Sequence, residues 1–300
     1  MAIQQGYQPN PVARRLQKGK TETIGIVITP EQNYFSDTFF IDLLSGISNQ
    51  ITRAGYELIL GVASDEEHEM QSMRRMVEGK RVDGMILTLI REQDPRVGYL
   101  LDRDFPFVLY GRTRETRPYA FVDMDGKQAF EKACTYLAGL GHRRIALLNG
   151  EPGFMFPVGC REGYESGLFL SGLELDPDLI REWKHKDPSQ SSYRWTLELF
   201  KNDNPPTAIL FQTEAVNGIF KGLDELDLQP GKDVALIGYD DLEIARIHRP
   251  SLSVLRPQAR EAGQRVVNIL LEVIKGEDPG KFQEIHQVEM VIRETSLPPS

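Results

Sequence analysis

The chain is short of cysteine, histidine, tryptophan and long apolar runs. Its 300 residues hold two cysteines, Cys134 and Cys160, two tryptophans and five histidines. Two cysteines in unrelated contexts make no disulfide framework and fit a reduced compartment. Both are read as small buried hydrophobes. No stretch approaches the ~20 apolar residues that cross a bilayer, so no membrane partner is expected. Met1–Gln5 runs into polar residues and has no apolar core of a secretory leader. His68, His142, His185, His248 and His286 do not cluster with cysteines or acids at metal spacing, so no metal site is expected. A phosphate loop with its lysine, a Rossmann glycine triplet and a nucleophile elbow are all missing. The expectation is a protein that is not an enzyme and carries no cofactor.

Cations are also in deficit. There are 35 Lys and Arg against 44 Asp and Glu, a net charge of −9. That balance alone argues against a nucleic-acid binder. Its distribution does not. Residues 1–20 carry Arg14, Arg15, Lys18 and Lys20 and no acid, a local +4 that leaves −13 for the rest (−9 less +4). A small basic arm on an acidic body points to a polyanionic partner for the arm.

From Thr23 onward, short apolar runs alternate with amphipathic stretches. The runs are Ile24–Ile28, Tyr56–Val62, Val82–Leu89, Phe107–Tyr110, Arg144–Leu148, Thr207–Phe211 and Val234–Gly238. Their hydrophobicity is nearly continuous, as in strands buried on both faces of a parallel sheet. Between them, Phe40, Leu43, Leu44, Ile47 and Ile51 fall at helical spacing, with Gly55 as the stop. Asp65 opens a helix bearing Met70, Met73, Met76 and Val77. Others run through Ala129–Leu137, Arg161–Leu170, Glu214–Leu226 and Glu261–Ile274. Repeated βαβ units of this number exceed one ordinary doubly-wound sheet, so the fold class is α/β with two Rossmann-like lobes. The break is placed near Gly141-His142-Arg143, with His142 a structural residue there, and the long final helix implies further crossings. The first lobe is then 22–142 plus about 257–277, the second 143–256 plus about 278–297, and 1–21 a separate segment.

In open parallel sheets, ligands bind beyond the carboxyl ends of the strands. Those ends carry Asp37, Ser64-Asp65, Gly111-Arg112, Asp123, Gln212-Thr213-Glu214 and Tyr239-Asp240-Asp241. Carboxylates, a guanidinium and aromatic faces suit a sugar, whose hydroxyls donate and accept while its C–H faces stack on rings. Asp65 and Asp241 each have a plainer reading as helix N-caps.

Several stretches resemble the lactose/purine repressor (LacI/GalR-type) family in order and spacing. They are Asn10–Thr21, Val82-Asp83-Gly84-Met85-Ile86-Leu87, Leu140-Gly141-His142-Arg143-Arg144-Ile145-Ala146, Arg161-Glu162-Gly163-Tyr164, Ile237-Gly238-Tyr239-Asp240-Asp241 and Pro250-Ser251-Leu252. The resemblance implies a cytoplasmic, homodimeric transcription regulator with a periplasmic-binding-protein-like core, cut just before its hinge so that the DNA-reading headpiece is missing. It implies an effector, expected to be a carbohydrate, held between the lobes by Phe39, Phe40, Arg112, Arg161 and Asp240. Asp37, Asp65, Thr213 and Glu214 complete the candidate set. One of the two phenylalanines is expected to be ordinary core. It further implies that Leu16 wedges into the minor groove of operator DNA while Arg14, Arg15 and Lys18 contact phosphates. The chain departs from the family at Thr213-Glu214, Pro257 and Gly111, which leaves the effector's identity open. The alternative reading is an extracytoplasmic sugar-binding protein of a transporter.

Overall fold

The computed structural model describes residues 20–28, 38–183 and 187–298, with only the backbone of Thr38 and Thr213. Its strands in chain order are β1 (Thr23–Ile28), β2 (Glu57–Val62), β3 (Gly84–Leu87), β4 (Phe107–Tyr110), β5 (Ala120–Met124), β6 (Ile145–Asn149), β7 (Ile180–Glu182), β8 (Ala208–Phe211), β9 (Ala235–Tyr239), β10 (Ser253–Arg256), β11 (Gln283–His286) and β12 (Glu289–Val291). The helices are α1 (Thr38–Arg53), α2 (Glu66–Glu78), α3 (Pro95–Leu101), α4 (Gly126–Gly139), α5 (Met155–Leu170), α6 (Pro188–Leu199), α7 (Val216–Glu225), α8 (Glu243–Ile247) and α9 (Ala259–Ile274).

The strands form two six-stranded sheets, ordered β11-β5-β4-β3-β1-β2 and β12-β10-β9-β8-β6-β7. Neighbours are parallel except β10 with β12. The continuous apolar runs become central strands. All six residues of β1 are buried, as are all four of β3 and all five of β6. Two-sided burial explains why these runs show no alternation. In the first sheet, α1 and α9 cover one face, where Leu43 and Ile47 meet Val266 and Leu270 over Ile24 and Ile26. On the other face, Met73 and Met76 of α2 and Leu100 of α3 pack on Val27 and Leu109. In the second sheet, α4 and α5 pack on Ile145 and Leu147, and α6 and α7 cover the opposite face around Ile209 and Leu236.

The lobe boundaries differ from expectation in two places. Helix α4 was assigned to the first lobe, but Phe130, Ala133 and Leu137 pack against Tyr164 and Leu168 of α5 over the second sheet. The chain therefore crosses at Met124–Gly126, before α4 and not after it. Segment 278–297 was assigned wholly to the second lobe, but β11 pairs in parallel with β5 of the first sheet. Only from β12 onward does that segment join the second sheet, through β10. An apolar stripe states that a helix face is buried, not which sheet buries it. The chain crosses between lobes three times: after β5, between β10 and α9, and between β11 and β12.

Two anchors from the quoted motifs are visible. Asp83 accepts hydrogen bonds from Thr21 N (2.7 Å), Thr21 Oγ1 (2.9 Å) and Glu22 N (2.8 Å), which fastens the entry to β1 onto the start of β3. His142 is buried; it sits 2.9 Å from Thr207 Oγ1 through Nδ1 and 2.9 Å from the Leu297 carbonyl through Nε2. With Nε2 donating and Nδ1 accepting, a neutral ring satisfies both. The structural role expected for His142 holds, though within the second lobe and away from a junction.

Candidate functional site

In each sheet the chain order reverses once, between β1 and β3 and between β6 and β8. Such switch points open crevices at the carboxyl ends of the strands. The side chains there belong to both lobes. Tyr110 ends β4, and the Phe39 ring of α1 lies 5.9 Å from it. Arg112 donates from Nε to Asp123 Oδ2. Burial pushes the Asp123 carboxyl upward, and the Arg112 guanidinium only partly opposes that rise. In the second lobe, Tyr239 ends β9, and the Phe156 ring of α5 meets it edge-on at 4.6 Å. Burial holds the Tyr239 phenol well above its ordinary value, reinforced by Tyr110, Asp240, Cys160 and Asp123. Tyr239 thus lies within electrostatic reach of Tyr110 and Asp123 of the first lobe and of Asp240 and Cys160 of the second.

Asp240 follows directly, at φ +76°, in the left-handed region that a residue with a Cβ rarely adopts. Its amide donates to the Leu255 carbonyl at 2.8 Å, and its Oδ1 is screened from solvent. Holding a residue with a Cβ in such a backbone conformation carries a strain of about 1–3 kcal/mol. Glu214 is exposed on the single turn after β8. Burial drives the Cys160 thiol well upward; Gln212 hydrogen-bonds it, and Glu214 and Asp240 lie within electrostatic range.

The candidate residues are thus only partly brought together. Phe39 lies beside Tyr110 at the end of β4, Arg112 two residues beyond that strand, Glu214 just after β8 and Asp240 directly after β9. Phe40 is 3 % exposed and belongs to the core, the role expected for one of the pair. Asp65 is an N-cap: it accepts from His68 N at 2.9 Å, and hydrogen bonds from the His68 backbone and the Ser64 hydroxyl lower its carboxyl to about 2. Arg161 pairs with Glu165 (2.9 Å) and Glu182 (3.4 Å). It lines a recess of about 270 Å³ with Glu92, Gly153 and Glu162 at the rim of the crevice. Its neighbour Cys160 occupies the inward position. Asp241, expected as a cap, does not cap α8; it is gripped by Arg246 (2.9 Å) and Arg293 (2.7 Å). Although burial would raise its carboxyl, those two guanidinium groups hold it below the usual range. Asp37, Arg14, Arg15, Leu16, Lys18 and the Thr213 side chain lie outside the described residues.

Tyr110, Phe156 and Tyr239 are not among the candidate site residues read from the sequence, and Cys160 is the buried core residue expected. Tyr110 and Tyr239 could have been found, since each terminates a buried strand as Arg112 and Asp240 nearly do. Among the described residues, no group of three His, Cys, Asp or Glu side chains could hold a metal ion, and no helix is long and apolar enough to cross a membrane.

Comparison with known proteins agrees with this architecture. A periplasmic binding protein-like domain matches residues 134–296. The transcriptional regulator AglR of Rhizobium meliloti is 31% identical over 300 residues, spanning 98% of this chain and 83% of the relative. RafR of Escherichia coli is 30% identical over 94% of this chain and 83% of its own length. A regulatory protein of the LacI family from Chloroflexus aggregans superposes with a TM-score of 0.82 at 26% identity, covering 92% of this chain and 99% of that one. A regulator named CelR, solved with cellobiose, has the same fold with a TM-score of 0.84 at 22% identity over 97% of this chain and 92% of that one. With a two-lobed parallel fold, a crevice between the lobes and regulators as relatives over nearly its whole length, the chain belongs to the LacI family of transcriptional regulators.

Proposed function

We propose that this chain is the effector-binding core of a cytoplasmic regulator. In this reading it binds an uncharged carbohydrate between its lobes and so controls operator DNA binding as a homodimer. The observation that carries the reading is that Phe39, Tyr110, Arg112 and Asp123 stand at strand ends of one lobe and Phe156, Tyr239 and Asp240 at those of the other, with Tyr239 in electrostatic reach of Tyr110 and Asp123. Aromatic faces suit the C–H faces of a sugar ring. Asp123, Asp240 and Arg112 offer acceptors and donors for hydroxyls at fixed positions. Arg112 is already paired with Asp123, and Arg161 with Glu165 and Glu182. That leaves little cationic character for a phosphate or carboxylate, which favours a neutral ligand. The relative solved with cellobiose supports the same class.

The effector acts by population shift: it changes DNA affinity only if it binds two lobe arrangements unequally. Residues 10–21 enter the reading as the DNA-facing segment, with Leu16 inserted between base steps and Arg14, Arg15 and Lys18 on phosphates. Asp83 would transmit lobe movement to that segment through its hold on Thr21 and Glu22.

The test is a thermal-shift panel of cellobiose, other neutral disaccharides and their phosphorylated counterparts. A ligand at 100 times its Kd adds about 2.7 kcal/mol to native stability. Asp240→Ala and Arg112→Ala should remove the shift while leaving the unliganded melt intact. If phosphorylated sugars shift the melt and neutral ones do not, the ligand class is wrong. For the DNA arm, Leu16→Ala in a chain carrying a DNA-reading headpiece should lose operator affinity and bend; unchanged values would defeat the wedge.

A further inference from the structure

Two loops from opposite lobes join by backbone hydrogen bonds at the rim of the crevice. Glu92 N donates to the Gly153 carbonyl at 2.9 Å, and Met155 N donates to the Ile90 carbonyl at 2.8 Å. Arg91 and Phe154 form an isolated antiparallel bridge between them. We propose that residues 90–92 and 153–155 form a ligand-independent clasp, a second tether that holds the lobes closed and must open before an effector can enter.

Four features support this assignment. First, the clasp adds to the covalent passages. It follows β3 and β6, and its second-lobe half lies near the passage after β5, where Gly126 stands against the Phe156 ring. The lobes are therefore tied there by backbone hydrogen bonds as well as by the chain itself. Second, the clasp serves the helix it touches. Helix α5 has no side-chain cap, and the amide of its first residue, Met155, is satisfied from the other lobe by Ile90. Third, side chains flank the bridge. The Arg91 guanidinium lies 5.5 Å from the Phe154 ring centroid, and Arg114 spans from Glu92 (2.8 Å) to Glu162 (3.8 Å).

Fourth, the first-lobe half is held rigid by a buried charge cluster for which the effector site has no use. Arg96, 3 % exposed, donates from Nε to Asp94 Oδ1 (2.9 Å), from Nη1 to Glu69 Oε1 (2.6 Å) and from Nη2 to the Thr88 and Leu89 carbonyls (3.1 and 3.0 Å). Asp94 in turn accepts from Arg91 N at 3.2 Å. This arrangement holds residues 88–94 through contacts made wholly within the first lobe. On the second-lobe side, Gly153 sits at φ +95°, a conformation that a residue with a Cβ resists.

The test uses a proline that the helix accepts. Met155 is the first residue of α5, where proline is tolerated, and Phe154 before it has φ −91° and ψ 142°, compatible with a following proline. Met155→Pro therefore deletes one clasp donor and keeps the helix; Met155→Ala keeps the donor. Amide exchange of Glu92, followed by NMR without any effector, reads the remaining bond. The expected result is at least tenfold protection in the wild type and in M155A, falling about fivefold or more in M155P. An unprotected Glu92 amide in the wild type, or equal protection in all three proteins, overturns the clasp. Should M155P not fold, Arg91→Ala combined with Arg114→Ala leaves the backbone intact and should reduce protection at least threefold; no change overturns the proposal. Because no ligand is used, a wrong carbohydrate assignment cannot imitate either outcome.

Discussion

Gly163, in the Arg-Glu-Gly-Tyr motif, sets two opposed effects against each other. It lies inside α5, where alanine should be better by about 1 kcal/mol on helix propensity. A Cβ built there, however, would sit 2.0 Å from the Lys127 carbonyl oxygen of α4 and 2.9 Å from its carbon. Ordinary contact is about 3.4 Å, and the obstacle is backbone, so no side chain can swing away. At Gly167, one turn on, a Cβ would lie 2.6 Å from Cys134 Cβ and 2.8 Å from the Glu131 carbonyl oxygen, so the two helices are in close contact at both points. Overpacking of this kind costs about 1–3 kcal/mol and more when backbone must move. Taking about 3 against a gain of about 1, Gly163→Ala should lose about 2 kcal/mol. At about 2–4 °C per kcal/mol for a chain of this size, the melt falls by roughly 4–8 °C. Gly159→Ala, four residues earlier in the same helix, is the control. Its nearest neighbour would be Lys127 N at 3.8 Å, so propensity alone should act and the melt should hold or rise. Differential scanning calorimetry of both variants decides the matter. A Gly163→Ala protein as stable as the wild type would refute the reasoning that α4 and α5 touch through this glycine.

Arg96→Met should destabilise by about 3–5 kcal/mol, because it leaves Asp94 buried without its ion-pair partner and Glu69 with Arg91 alone; denaturant melts would show it. Arg161→Met breaks half-exposed pairs and should change stability by less than about 1 kcal/mol in the same melts. Asp83→Ala removes the acceptor for Thr21 and Glu22; amide exchange at those two residues should accelerate more than tenfold while α2 stays protected. Burial holds the His142 imidazole below its ordinary 6.5, so the unfolded chain takes up a proton before the folded one does. The stability it supplies is whole above pH 6.5 and is lost as pH falls from 6.5 toward its folded value. The Tm advantage of wild type over His142→Gln should therefore shrink between pH 7.5 and 5.5; a constant advantage would contradict the neutral, two-bonded ring.

Much of the architecture could be read from residues because the central strands are buried on both faces. Runs such as Thr23–Ile28 and Ala235–Tyr239 have almost no alternation and stand out. Strands β7, β11 and β12 are short, lie at or beside sheet edges and are half exposed, so their patterns were too weak to place. Candidate positions were legible where a buried strand ends, as at Arg112 and Asp240. On α5 the motif names Arg161 but not its partners, Glu165 one turn on and Glu182 on β7, which only the folded chain brings to it. The helix that changed lobes, α4, shows the same gap: its stripe predicts burial, while its burying partner is fixed by tertiary packing.

The three passages between lobes bear on how this protein can be made. Neither lobe is a contiguous piece of chain. The first sheet waits for β11 and its covering helix α9, which leave the ribosome only after residue 286, and the second waits for β12. An early stop near residue 256 would strip material from both halves at once. A cut after β5 would leave the second sheet whole but strip β11 and α9 from the first, and the nascent chain must hold that sheet's open edge and face until both have been made.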